Sequence, residues 1–266
     1  MPFVIILVVL TVPAAIFFCW YQMLVRKYKN SSFIMVYHKV DRYRGGLKGL
    51  CVSPEAFDRQ MDYLYRRGYR AIPLGSLVDS IINKKDILPK TFVLTFDDGY
   101  ENNYVNVLPV LKKYGWTATV FLNAGAIGQT VQYPMQPPEK HLTAEQIKEM
   151  SGRFDFEPHG ITHRALTGLS DDEILEEAEG SKKVVEQLTG KDADIFCYPF
   201  GEYNGRVINL LKEAGYRASC TTRTGIVRQD ADAYQLPRFE FKETKVWSPR
   251  YFFRNFDFYL RTFFAI

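Results

Sequence analysis

An α/β fold, a distorted (β/α)7-8 barrel preceded by an N-terminal transmembrane helix, is the fold class that the sequence predicts. Three observations predict it. Short β-rich runs alternate with amphipathic helical patterns along most of the 266 residues. About eight such repeats fit, and that many parallel strands close into a barrel more readily than they form an open sheet. The first 25 residues carry no charged side chain.

The N-terminal segment comes first. Residues 4–20 are almost wholly apolar, and 1–25 as a helix would be about 37 Å long, enough to cross a hydrocarbon core of about 30 Å. Pro13 would kink it, which membrane helices tolerate. The basic residues Arg26, Lys27 and Lys29 follow the apolar run instead of preceding it, and bulky residues occupy 17–21. An uncleaved single-pass anchor therefore fits better than a signal peptide. The positive-inside rule puts the following domain in the cytoplasm, whereas action on an exported polymer needs the other side; both orientations stay open. Residues 26–32 read as a linker.

The barrel spans 33–247. Its strands are expected at 33–37, 71–73, 92–96, 118–122, 154–157, 195–198, 217–221 and 236–241. Between them, Ser53 and Pro54 form an N-cap with proline at the first helical position, and Gly68 stops that helix. Ser170 with Glu173 makes a capping box before a helix that ends near Leu188, with Gly190 after it. Asn204 caps the next, which ends before Gly215. No G-x-G-x-x-G or P-loop pattern supports a doubly wound nucleotide-binding sheet. Residues 248–266 predict a C-terminal amphipathic helix opened by Ser248 and Pro249. Arg250, Arg254, Asp257 and Arg261 fall on one stripe and aromatic residues cover much of the rest, suiting either a membrane interface or the outside of the barrel.

Composition excludes some functions. Hydrophobic content of 47% with 24% charge argues against disorder, and a net charge of +4 without a basic–aromatic block argues against nucleic acid. The four cysteines, Cys19, Cys51, Cys197 and Cys220, show neither metal-ribbon nor disulfide spacing.

The four histidines are more informative. His38 ends the first strand. His159 and His163 follow the strand at 154–157, and Asp97-Asp98-Gly99 ends the strand at 92–96. In a parallel barrel all these positions, with the Tyr198-Pro199-Phe200-Gly201 turn, open onto one face, where catalytic residues collect. Two imidazoles four residues apart and a carboxylate leave open positions on one zinc-like ion, as a hydrolytic metal needs. Each signal alone has a bland explanation: Asp-Asp-Gly is a common turn, and a His pair four apart can be structural. Their convergence from four strands favours the site. His141 has no partner in the pattern and is expected on the surface.

From about Phe33 to Phe241 the chain resembles the polysaccharide deacetylases of carbohydrate esterase family 4. The motif T-F-D-D-G stands intact at 95–99. The H-[ST]-x-x-H motif is 159–163, with Gly160 where a hydroxyl residue is usual, so a group that helps hold the metal loop is missing. The motif R-x-P-[YF] reads Cys197-Tyr198-Pro199-Phe200, so its arginine is missing. No histidine follows His163, but Tyr37-His38-Lys39-Val40 resembles the circularly permuted poly-N-acetylglucosamine deacetylase subgroup, which carries its catalytic histidine near the start. Leu236-Pro237-Arg238 resembles that subgroup too.

The resemblance implies one divalent metal ion, zinc first by ligand type although cobalt, nickel or iron accept the same ligands. Asp98, His159 and His163 would bind it. Asp97 would act as general base on water and His38 as the acid that protonates the departing amine. A backbone N–H near Phe200 would help stabilise the oxyanion. Arg238 would either stand beside Asp97 for the lost arginine or form an ion pair at the barrel base. The substrate would be an N-acylated glycan or glycolipid, and the membrane a partner through the N-terminal helix and, on the interfacial reading of 248–266, through the C-terminal helix. Deacylation of a lipid-linked sugar at the inner membrane face and a catalytically silent carbohydrate-binding scaffold remain alternatives. A glycosidase fits poorly, because it wants carboxylates about 5–9.5 Å apart, normally on different strands.

Overall fold

The computed structural model of the chain describes residues 2–134, 136–242 and 258, with side chains from residue 15 onward. In chain order its main elements are α1 Pro2–Tyr28, β1 Ile34–Tyr37, α2 Pro54–Arg66, β2 Arg70–Ala71, α3 Leu74–Ile82, β3 Thr91–Phe96, α4 Leu108–Tyr114 and β4 Ala118–Leu122. They continue with α5 Ala144–Met150, β5 Phe154–Pro158, α6 Asp171–Thr189, β6 Ile195–Cys197, α7 Gly205–Glu213, β7 Ala218–Cys220 and β8 Phe239–Glu240. Every predicted strand is present, with its ends moved by a residue or a few.

The helix ends follow from the capping chemistry. Ser53 accepts from Ala56 N ahead of Pro54, Ser170 and Glu173 form a reciprocal capping box, and Asn204 accepts from Val207 N. Gly190 ends α6 in the left-handed conformation that glycine adopts without steric cost.

The strands run parallel in the order β5-β4-β3-β1-β8, and β2 pairs with the start of β3. A second parallel pair, β6-β7, is joined to the chain entering β8 by a bridge between Cys220 and Leu236. Among the described residues no ladder joins β6 to β5, so the expected closure is not complete in main-chain hydrogen bonds. At this seam the Glu157 carboxylate of β5 accepts from Ile195 N of β6 at 3.0 Å. A side chain takes the place of the missing strand partner, a feature that hydrophobic periodicity cannot reveal.

Period-2 alternation sorts the strand residues onto two faces. Ile34, Val93, Phe121, Ile195, Ala218 and Cys220 pack with one another and with Leu77, Val78 and Ile81 of α3. Met35, Leu94, Phe96, Val120 and Phe156 face the other way, against Phe57 and Met61 of α2, Leu111 of α4 and Ile147 of α5.

α1 joins the barrel at the N-terminal end of β1. Leu24 and Tyr28 are buried, and Ser31 Oγ donates to Tyr28 O. Among the described residues no helix is long and apolar enough to cross a membrane. The expected anchor is helical in backbone, but the side chains of residues 1–14 lie outside the described ones. Of the predicted C-terminal helix only Phe258 is described. It is helical and buried, and its ring packs edge-on to Phe33 and Phe241 at 5.1 and 4.7 Å. At that residue the segment faces the barrel.

Candidate active site

The C-terminal strand ends bring the predicted residues together. Main-chain bonds extend the strand pairing into them: Asp97 N donates to Tyr37 O at 2.9 Å, and His159 N donates to Leu122 O at 2.9 Å. The chain just beyond β1 is held by asparagines that precede α4. Asn103 Nδ2 donates to His38 O at 3.0 Å, and Asn102 Oδ1 accepts from Val40 N at 2.9 Å.

Three non-glycine residues of the site have positive φ: Asp98 at 71°, His163 at 58° and Phe200 at 59°. Such conformations are uncommon for residues with a Cβ and persist only where surrounding contacts enforce them. Here they lie in the loops that follow β3, β5 and β6.

Asp98 Oδ1 lies 3.2 Å from His163 Nε2 and 3.6 Å from His159 Nε2. One donor atom from each residue falls within 4.8 Å of the others. His159 Nδ1 lies 2.7 Å from the Cys197 carbonyl oxygen. Only a protonated Nδ1 can donate there, which leaves Nε2 as the lone pair facing Asp98. Burial pushes the His159 imidazole down to about 4, so it is neutral at ordinary pH. For Asp98, burial pushes the carboxyl up, but the hydrogen bond from His163 and the neighbouring imidazoles outweigh it, leaving the acid ionised. Two imidazole nitrogens and an anionic oxygen within reach of one point are the ligand set that a hydrolytic divalent ion accepts, so these residues fit one.

Asp97 faces a different partner. Arg238, 1% exposed, donates from its two terminal nitrogens to the two Asp97 oxygens, each at 2.7 Å. It also donates to the Thr221 carbonyl at 2.9 Å and to Thr95 Oγ1 at 3.1 Å. Burial pushes the Asp97 carboxyl up, but Arg238, by charge and hydrogen bonding, holds it below the usual carboxylate range. Of the two placements open for Arg238, the structure has the one beside Asp97, not the barrel base. Cys197, where the motif arginine usually stands, puts Sγ 3.2 Å from Arg238 and 3.8 Å from Asp97. The small thiol leaves the space that the guanidinium fills. His38 Nε2 stands 3.9 Å from Asp97 Oδ2, at the solvent side of the site. Phe200 is 61% exposed and its ring packs edge-on to His163 at 4.7 Å.

Other residues here were not foreseen. His141, expected on the surface, is 3% exposed: its ring packs on Tyr100 at 5.0 Å, and Nε2 lies 3.2 Å from the Tyr133 hydroxyl. Tyr133 stands eight residues earlier and Tyr100 just beyond the end of β3, a meeting that no local pattern marks. Burial, together with the nearby Asp98 carboxylate, pushes the Tyr100 phenol up. Lys39, adjacent to His38, is buried against Glu139 at 2.9 Å and ties the two neighbouring loops together. Glu177 of α6 meets the loop between the two histidines.

The chain is also similar to known proteins over most of its length. The polysaccharide deacetylase family matches residues 84–219. YxkH of Bacillus subtilis strain 168, a polysaccharide deacetylase by name, is 32% identical over 206 residues, covering 77% of this chain and 69% of its own. The poly-beta-1,6-N-acetyl-D-glucosamine N-deacetylase of Staphylococcus epidermidis is 28% identical over 233 residues, covering 79% of this chain and 78% of its own. Among solved structures, BC0361, a polysaccharide deacetylase from Bacillus cereus, matches with a TM-score of 0.70 at 30% identity, over 82% of this chain and 67% of that one. The Streptococcus pyogenes deacetylase PplD shares the fold, with a TM-score of 0.73 at 24% identity over 84% of this chain and 97% of that one. The chain belongs to the polysaccharide deacetylase family, hydrolases that act on the amide bonds of acetylated sugars.

Proposed function

We propose that this protein is a metal-dependent N-deacetylase acting on the acetamido groups of an amino-sugar polysaccharide. One observation carries the reading: Asp98, His159 and His163 converge on one point while a second carboxylate, Asp97, is held ionised beside them by Arg238. Asp98, His159 and His163 would hold the divalent ion, with zinc the first candidate by ligand type. When bound, such an ion supplies Lewis acidity to the amide carbonyl and to water.

The remaining steps belong to side chains. Asp97 takes the proton of the attacking water on a carboxylate oxygen. Arg238 occupies one lone pair of each Asp97 oxygen, and a carboxylate has about four acceptor sites, so room for that water remains. His38 Nε2 gives its proton to the sugar nitrogen as the C–N bond breaks, because an amine leaves poorly unless protonated. Phe200 shields the His163 side of the site and offers a backbone N–H to the developing oxyanion.

The uncharged stretch at 1–25 supports attachment to a membrane as part of this proposal. α1 meets the barrel at the N-terminal ends of the strands, and the site lies at the C-terminal ends. That polarity supports a polymer reaching the site from solution over a sugar still on its lipid.

The test is amine release by the purified protein from N-acetylglucosamine oligomers, before and after chelation. Release that chelator abolishes and Zn2+ or Co2+ restores is expected. Purified protein that takes up neither metal and releases no amine would overturn the reading, and metal uptake without turnover would favour the carbohydrate-binding scaffold.

A further inference from the structure

We infer that Glu177, on a helix outside the catalytic strand ends, is the positioning residue of the metal centre, fixing the loop that delivers His163; the inference rests on Asp98, His159 and His163 being a metal site. Glu177 is 2% exposed. Its Oε2 accepts from Ile161 N at 2.6 Å and from Thr162 N at 3.0 Å. Its other oxygen accepts from the Thr162 hydroxyl and, at 3.4 Å, from Arg164. Two successive main-chain N–H groups on one carboxylate oxygen are charge-assisted bonds, stronger than neutral ones. On the far side of the same turn, Ala124 N donates to Gly160 O and Gly125 N to Ile161 O, both at 2.9 Å. The turn is therefore gripped through its N–H groups by α6 and through its carbonyls by the loop after β4.

Two glycines make room for this grip. Gly160 has φ 81°, and a Cβ there would lie 2.9 Å from Glu177 Oε2. Gly180 sits inside α6, where glycine costs about 1 kcal/mol relative to alanine. A Cβ there would come within 2.5 Å of the Ile161 side chain, so that side chain docks on bare helix backbone. One turn of α6 thus receives both the backbone and the apolar side chain of the loop.

The outcome is felt at His163, held at φ 58° at the end of the gripped turn. Positive φ is uncommon for a residue with a Cβ and persists where surrounding contacts enforce it. With glycine where the family motif usually has a hydroxyl, the hydroxyl that bonds the clamp here is that of Thr162, and its acceptor is Glu177.

The experiment compares Zn2+ affinity, by chelator competition, for the parent protein, Glu177→Ala, Glu177→Gln and the exposed control Glu176→Gln. Absorption of the Co2+-loaded proteins reports ligand geometry, and thermal melts of the metal-free proteins report folding. Glu177→Ala is expected to weaken Zn2+ binding about 10–100-fold and to change the Co2+ bands, the scale for losing an outer-shell partner. Glu177→Gln, which keeps one acceptor oxygen, should lose less, and Glu176→Gln nothing. Equal Zn2+ affinity and unchanged Co2+ bands in Glu177→Ala, whatever its melt, would overturn the inference while leaving the metal centre standing. Should Glu177→Ala fail to fold, Glu177→Gln decides on the same two readouts. A parent protein that binds no Zn2+ would remove the metal centre and this inference together.

Discussion

Replacing Arg238 with methionine tests the arrangement most directly. Asp97 and Arg238 are both buried and share two bonds of 2.7 Å. Methionine fills much of the volume but leaves a carboxylate in the core without its cation. Removing one partner of a buried pair costs about 3–5 kcal/mol. In a barrel of this size that is a fall in melting temperature of roughly 6–20 °C. The pH dependence should also change sign. In the parent, the Asp97 pKa is depressed, so its contribution is present above the unfolded value near 3.8 and is lost as pH falls through the folded value. Without Arg238, burial dominates and pushes the carboxyl above 3.8. The variant then binds protons more readily than its unfolded chain, and its stability falls as pH rises. The melting gap between parent and Arg238→Met should therefore widen from pH 5 to pH 8, and the acid limb of kcat/KM for amine release should move to higher pH. A gap below about 1 kcal/mol, or one constant across that range, would refute the account of Asp97.

Three further outcomes are expected. His38→Ala should lower kcat for amine release by about 10²–10⁴-fold while Zn2+ affinity stays within twofold, and an unchanged kcat would exclude His38 as the acid. Burial pushes the Glu157 carboxyl well above its ordinary 4.5 against the pull of the Ile195 N–H, so its ionisation opposes the fold as pH rises above 4.5. Glu157→Gln should accordingly melt higher than the parent at pH 8 and converge with it near pH 4; a lower melt at pH 8 would show that the seam needs the charge. In the Arg238→Met background, adding Cys197→Arg should regain part of the lost stability and activity, because Sγ of Cys197 already lies 3.8 Å from Asp97. A double variant no better than Arg238→Met would mean that the β6 position cannot deliver the guanidinium.

The readable part of the sequence was the local part. Alternation and caps place β1 to β8 because each depends on neighbours within a few residues, as at Ser53 and Ser170. The cluster of Asp98, His159 and His163 was legible because parallel strands must share one C-terminal face. Arg238 stood undecided between two ends of the barrel, since its partner is 141 residues away and no local rule links them. Glu177, only 15 and 16 residues from the groups it accepts from, looks like one more acid on a polar helix until the fold of the loop is known. His141 was misjudged because burial by Tyr100 and Tyr133 depends on how a long loop folds back. The seam between β5 and β6 was beyond periodicity altogether, since Glu157 occupies an ordinary inward position in its strand.

Asp97 arrives with the third strand, whereas the guanidinium that keeps it charged arrives with the last. During synthesis, every shorter chain that already holds Asp98, His159 and His163 lacks that counter-charge. Asp97 gains the partner that holds it ionised only when the final strand docks beside the first.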